Sequence, residues 1–301
     1  QKKGAEWLLS KQAEDGSWLG QSKQPAFTAL ACMGLYDSPL REDKKIADKI
    51  NQALDYVVAA AKEDGGIYGA SKVAKQGDEE KKTAGKDGKP GGRAGGGGRP
   101  GGGGGAAYAV YNTSICLTAL AKYNRPQDLE VCKKARNYLL DSQVSSDDPA
   151  ALASAGGTGY APRRMRADLS NTAWTLEALY VTEHLDKEPY SKDPAQGAKA
   201  ELAWEKALQF VTMCQNLAET NQSAWVKSAP EEDRGGFIYC PEDALRAEEN
   251  HEALRSYGSM TYAGLKSLIY AKVHPEDLRM KSAFEWIRKY YTLEENPGAG
   301  A

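Results

Sequence analysis

The chain has 301 residues, 39 of them Lys or Arg and 41 Asp or Glu, for a formal net charge of −2. That length can bury a sizeable core, whereas the near-balance of charge gives no electrostatic footprint for nucleic acid or an anionic membrane surface. No apolar run approaches the roughly 20 residues that cross a bilayer, and the 5 cysteines are odd in number and lack CxxC spacing, which fits neither a disulfide framework nor a zinc site and mildly favours a reducing compartment.

Taken in order, the chain reads as an alternation of two kinds of helix. It opens inside a helix with Trp7 and Leu8, which runs through Gln12 into Gly16-Ser17-Trp18. Such an opening is expected of a chain that continues upstream, so no compartment is assigned. A second helix, Pro25 to Tyr36, is small and apolar nearly all round, as buried helices are. Next comes an amphipathic stripe of Ile46, Ile50, Leu54, Val57, Val58 and Ala61, ending at Gly65-Gly66-Ile67-Tyr68. The segment from Ala70 to Ala107 is dominated by glycine, and its composition predicts a disordered insert that cannot offset its ordering entropy.

The alternation then resumes. An apolar helix is predicted at Tyr111 to Tyr123, followed by an amphipathic one with Ala135, Tyr138, Leu139 and Gln143, leading to Gly157-Thr158-Gly159-Tyr160. Leu169 to Val181 is again apolar, and Ala207, Phe210, Val211 and Gln215 lead to Gly235-Gly236-Phe237. Tyr257 to Val273 is the last apolar helix, and a stripe of Phe284, Ile287 and Tyr291 marks the last amphipathic one. Strand patterns are missing throughout. The reading is all-α, with amphipathic outer helices, apolar inner helices, and glycine turns that let the chain reverse between them. Trp18, Tyr68, Tyr160 and Phe237 are expected to pack over those turns.

The spacing Lys3-Gly4, Trp7-Leu8, Gln12, Gly16, Trp18 resembles the QW-type motif of squalene and other class II triterpene cyclases. The two alternating classes of helix resemble the α/α toroid that those enzymes share with protein prenyltransferase β-subunits. Most closely the chain resembles bacterial proteins carrying prenyltransferase and squalene oxidase repeats. The resemblance implies one α/α toroid domain over residues 1–301, built of outer–inner helix pairs and incomplete at one or both termini, with the glycine-rich insert at about 70–107. It also implies a central cavity lined by the first turns of the inner helices.

The same resemblance directs attention to Asp168-Leu169-Ser170-Asn171-Thr172-Ala173-Trp174, which lies against the cyclase motif DxDDTA. The proton-donating position there is Ser170, and a hydroxyl does not protonate an alkene. Laid against the zinc site of prenyltransferases, Ser170 replaces the cysteine and Gly258 the histidine; one Asp does not hold zinc. Neither class II cyclase nor zinc prenyltransferase activity is expected, and no cofactor or metal. Asp168 stays a candidate acid or base. Cavity candidates are Tyr111, Asn112, Ser170, Asn171, Trp174, Tyr257, Ser259 and Thr261, whose plainer role is helix capping. Arg163, Arg164 and Arg166 are anion candidates, or partners of Asp168 and an acidic rim. Three readings follow: a non-catalytic toroid that binds an apolar, isoprenoid-like molecule or a peptide; an enzyme of altered chemistry centred on Asp168; and a structural module whose centre is filled by Trp174, Tyr262 and other aromatics.

Overall fold

The computed structural model describes residues 1–41, 43–69, 105–145, 149–162, 166–243 and 255–298. Most of the glycine-rich insert, together with Arg163, Arg164 and His251, lies outside the described residues. The described chain is helical, with no strand and two isolated bridges, Ala61 to Ile67 and Gln215 to Phe237. No helix among the described residues is long and apolar enough to cross a membrane.

The inner helices are α2 (Pro25–Tyr36), α4 (Ala109–Tyr123), α6 (Leu169–Val181) and α9 (Gly258–Tyr270). The outer ones are α1 (Lys2–Ser10), α3 (Lys44–Ala59), α5 (Leu129–Asp141), α7 (Pro194–Met213) and α10 (Leu278–Tyr290). A short α8 (Ala224–Lys227) lies in the loop before α9. Each inner helix packs on the next, α2 on α4, α4 on α6 and α6 on α9, while α3, α5, α7 and α10 cover them from outside. The inner helices run parallel. Asn112 of α4 meets Ala26 of α2 at their first turns, and Lys272 beyond α9 reaches Glu183 beyond α6 at the opposite end. Sequence and structure agree on this alternation, with α4 starting two residues earlier than its apolar run suggested.

Three bonding devices recur and explain the repeat. In the first, a turn glycine with positive φ (Gly16 at 85°, Gly65 at 89°, Gly156 at 84°, Gly235 at 90°) lies flat on a following outer helix. A Cβ there would collide with the backbone oxygen of Gln52, Lys134, Lys206 or Ser282, so glycine is required on both counts. In the second, the glutamine amide donates to that turn's own glycine oxygen and to an outer-helix carbonyl: Gln12 to Gly16 and Lys49, Gln143 to Gly156 and Ala203, Gln215 to Gly235 and Arg279. In the third, an inner-helix threonine accepts from the turn backbone, with Trp18 bonded to Thr28, Ile67 to Thr113, Thr158 to Thr172 and Phe237 to Thr261.

These bonds correct the reading of the turns. The third copy turns at Gly156, not Gly157, and the buried position over each turn is held by Trp18, Ile67, Thr158 and Phe237. Tyr68 and Tyr160 therefore lie one and two residues past it. Of the last amphipathic stripe Ile287 is buried, together with Ser282, Ala283 and Trp286, whereas Phe284 and Tyr291 are exposed and are corrected. All five cysteines are free and buried. Arg136 and Asp186 form a buried ion pair, with Thr182 and the Leu179 carbonyl filling the remaining guanidinium donors. Such satisfaction is what a charge pair in a core requires.

Candidate functional site

The first turns of the inner helices are held by chain arriving from later turns. The Val110 amide donates to the Tyr160 carbonyl, Leu169 to Tyr239, and Gly258 to Pro297, so one loop residue docks on the start of each of α4, α6 and α9. Pro25 opens α2 and has no amide to offer; there Ala26 donates to the Asn112 side chain. The result is a layer of side chains over the parallel helix starts.

A pocket of about 360 Å³ opens in this layer, lined by Gln24, Phe27, Leu30, Tyr108, Tyr111, Asn112, Tyr160 and Ser170 with Ala26. Of the predicted cavity residues it gathers Tyr111, Asn112 and Ser170. Asn112 is buried and structural as well, accepting from Ala26 and donating to Gln24 Oε1 at 2.6 Å. The Tyr108 and Tyr160 rings meet edge to face with centroids 5.3 Å apart, and Tyr111 lies 6.0 Å from Tyr160. Trp174 stands behind Tyr111, ring centroids 6.4 Å apart, with the Lys266 ammonium 4.5 Å from its centroid. Lys266 is paired with Glu177.

Asp168 lies beneath the pocket and does not line it. It is 3 % exposed and caps α6, its Oδ1 accepting from the Asn171 amide at 2.8 Å and its Oδ2 from the Asn171 side chain at 2.7 Å. The nearby Tyr239 hydroxyl also favours the charged form of this carboxylate. Burial raises the Asp168 pKa above the usual carboxylate range, against the opposing pull of these donors and of Arg166. Tyr239 and Tyr160 hold their hydroxyls 3.3 Å apart, which ties Tyr239 to a ring of the pocket wall. Burial, with Asp168 nearby, pushes the phenols of Tyr239, Tyr111 and Tyr257 up, the last to about 12.

The other candidates are placed elsewhere. Thr261 is buried and bonded to Phe237 and Tyr257. Ser259 is exposed and bonded to Asn296 through both its amide and its hydroxyl. Arg166 pairs with Asp243 at 2.6 Å, the acidic rim that was its plainer partner. Before the fourth turn, Asp233 is buried against Arg255, and Arg234 pairs with Glu219. Gly258 leaves no room for a larger side chain, because a Cβ would meet Asn296 and Pro297. No group of three or more His, Cys, Asp or Glu side chains converges for a metal among the described residues.

Gln24, Phe27, Leu30, Tyr108, Tyr160 and Tyr239 were not among the sequence candidates. One signal for the two tyrosines was present: each lies two residues after the buried turn position, Thr158 or Phe237. Compared with known proteins, the sequence matches no family model and no curated protein.

Proposed function

We propose that the helix row is part of an α/α toroid related to those of triterpene cyclases and prenyltransferases, and that it serves as a binding scaffold for an apolar, isoprenoid-like molecule. The observation that carries this reading is the pocket at the inner-helix starts together with the apolar side chains the inner helices leave in solvent. Phe27, Leu30, Tyr180, Tyr262 and Ile269 are all more than a third exposed, although they belong to the most apolar helices of the chain. Exposed apolar groups such as Phe27 and Leu30, which line the pocket itself, mark ligand surfaces more often than solvated ones. Tyr262 at 47 % exposed also weighs against a centre filled by its own aromatics.

Ser170 and Gly258, at the positions where the related enzymes carry an acid or a metal ligand, support binding without their chemistry. The test is a titration of the protein with farnesol, read by tryptophan fluorescence. Saturable binding is expected, weakened at least about tenfold by Leu30→Glu, which places a charge on an apolar contact. Lack of saturable binding by a folded sample would sink the reading. The nearness of Asp168 to Tyr239, itself bonded to Tyr160, supports a second reading, an enzyme that moves a proton between these groups. Turnover of an isoprenoid, abolished by Asp168→Asn with farnesol binding retained, would replace the first reading by the second.

A further inference from the structure

The pocket walls are richer in aromatic rings than an aliphatic ligand needs, and this narrows the ligand. Phe27, Tyr108, Tyr111 and Tyr160 all border one space of about 360 Å³. Among the described residues no Lys or Arg lines it. The negative faces of aromatic rings attract cations, most strongly those with weakly hydrated, apolar substituents.

Helix starts ordinarily favour anions, through their free amides and positive dipole ends. Here four of those amides are taken. Ala26 donates to Asn112 Oδ1, Val110 to the Tyr160 carbonyl, Leu169 to the Tyr239 carbonyl and Asn171 to Asp168 Oδ1. An anion entering the pocket would meet ring faces, and the Asn112 amide nitrogen is already bonded to Gln24 and to the Tyr108 carbonyl. Behind the wall, Asp168 is bonded to the neutral Asn171, and Arg166 pairs with Asp243. Its charge acts on the pocket through a medium poorer in water than the surface, where Coulomb attraction is stronger.

We propose that the pocket between the first turns of α2, α4 and α6 binds an organic cation with apolar substituents, a quaternary or tertiary ammonium group. This deepens the reading of the inner helices as a ligand surface and rests on it: the ammonium head enters the aromatic pocket, and an attached hydrocarbon chain lies past Leu30 on the exposed inner face.

The experiment is calorimetric titration of the full chain with choline and with its uncharged carbon isostere, dimethylbutanol. Choline is expected to bind about tenfold more tightly than the isostere, the advantage of one desolvated cation on an aromatic face. Tyr111→Leu is expected to remove that preference. Tyr108→Leu, on a ring already 38 % exposed, reduces it without disturbing the core and keeps the test open if the first variant does not fold. Asp168→Asn lowers choline affinity and leaves the isostere unchanged. Equal affinities for the two probes, or a preference untouched by all three variants, overturn the cation site. If farnesol still binds in that case, the apolar reading stands alone; if choline and farnesol both fail to bind, the two fall together.

Discussion

Asp168 is at once a helix cap and a buried charge, and the two roles pull in opposite directions. Its carboxylate satisfies the Asn171 amide at 2.8 Å, a contact worth about 1 kcal/mol at a helix start. Burial raises its pKa above the ordinary 3.8, so the folded state holds a proton that the unfolded chain has already released. The sign is that of an acid with a raised folded pKa: the stabilising contribution is full below about 3.8 and lost as pH rises through the folded value, leaving a cost at neutral pH. Asp168→Asn keeps an acceptor for the cap and removes the charge. Its denaturation midpoint at neutral pH is therefore expected to equal or exceed that of the parent, with the difference vanishing near pH 3.8. Asp168→Ala loses the cap as well and strands the Asn171 side chain, a loss of about 2 kcal/mol or more at neutral pH. Urea titrations of the three proteins at several pH values check this; an Asn variant less stable than parent at neutral pH and equal at low pH would show that ionised Asp168 stabilises the fold.

At the scale of the elements, the repeat is a set of ties between each turn and the helices on either side of it. Gln12, Gln143 and Gln215 each join a turn glycine to a later outer helix, and the second copy lacks the tie because its equivalent position is Ala61. Gln215 is fully buried, so Gln215→Ala leaves the Gly235 and Arg279 carbonyls without its amide and is expected to cost about 2 kcal/mol. By the same register Ala61→Gln would face the carbonyls of Gly65 and Val131, gaining about 1 kcal/mol. Thermal melts of both variants decide, and a destabilised Ala61→Gln would mean the second turn is built differently. These ties also explain what was legible in the sequence. The inner helices stood out because close packing of each on its neighbours demands small apolar residues, and Pro25–Tyr36 and Leu169–Val181 were read to the residue. The third turn was misread because Gly156, Gly157 and Gly159 are indistinguishable as letters, and only the carbonyl of Lys206 beneath Gly156 selects one of them. The stripe of Phe284 and Tyr291 misled because periodicity cannot say which of two neighbouring faces meets a partner. The pocket was legible only in part, since Tyr108, Tyr160 and Gln24 come from turns whose convergence depends on the docking of one repeat on another.

Across the whole molecule, contacts run mainly between neighbours in the row α2, α4, α6, α9, and α2 and α9 do not pack on each other as the adjoining inner helices do. A molecule bonded this way is close to one-dimensional, and its stability is roughly a sum of units and the interfaces between them. The middle units have neighbours on both sides, whereas the end units have one. In α4, every residue from Asn112 to Leu120 is buried, while α1 buries Ala5 alone among its 9 residues. The core itself divides into two adjoining clusters, one around α2 to α5 and one around α7, α9 and α10, and α6 contributes Ala178 and Leu179 to the first and Leu169 and Leu176 to the second. Local opening should therefore begin at the ends and reach α4 and α6 last. Native-state hydrogen exchange is expected to show amides of α4 and α6 protected near the global limit, those of α9 and α10 released earlier, and those of α1 first of all. Uniform protection along the chain would contradict this, because it requires the end helices to be held by contacts as extensive as those in the middle of the row.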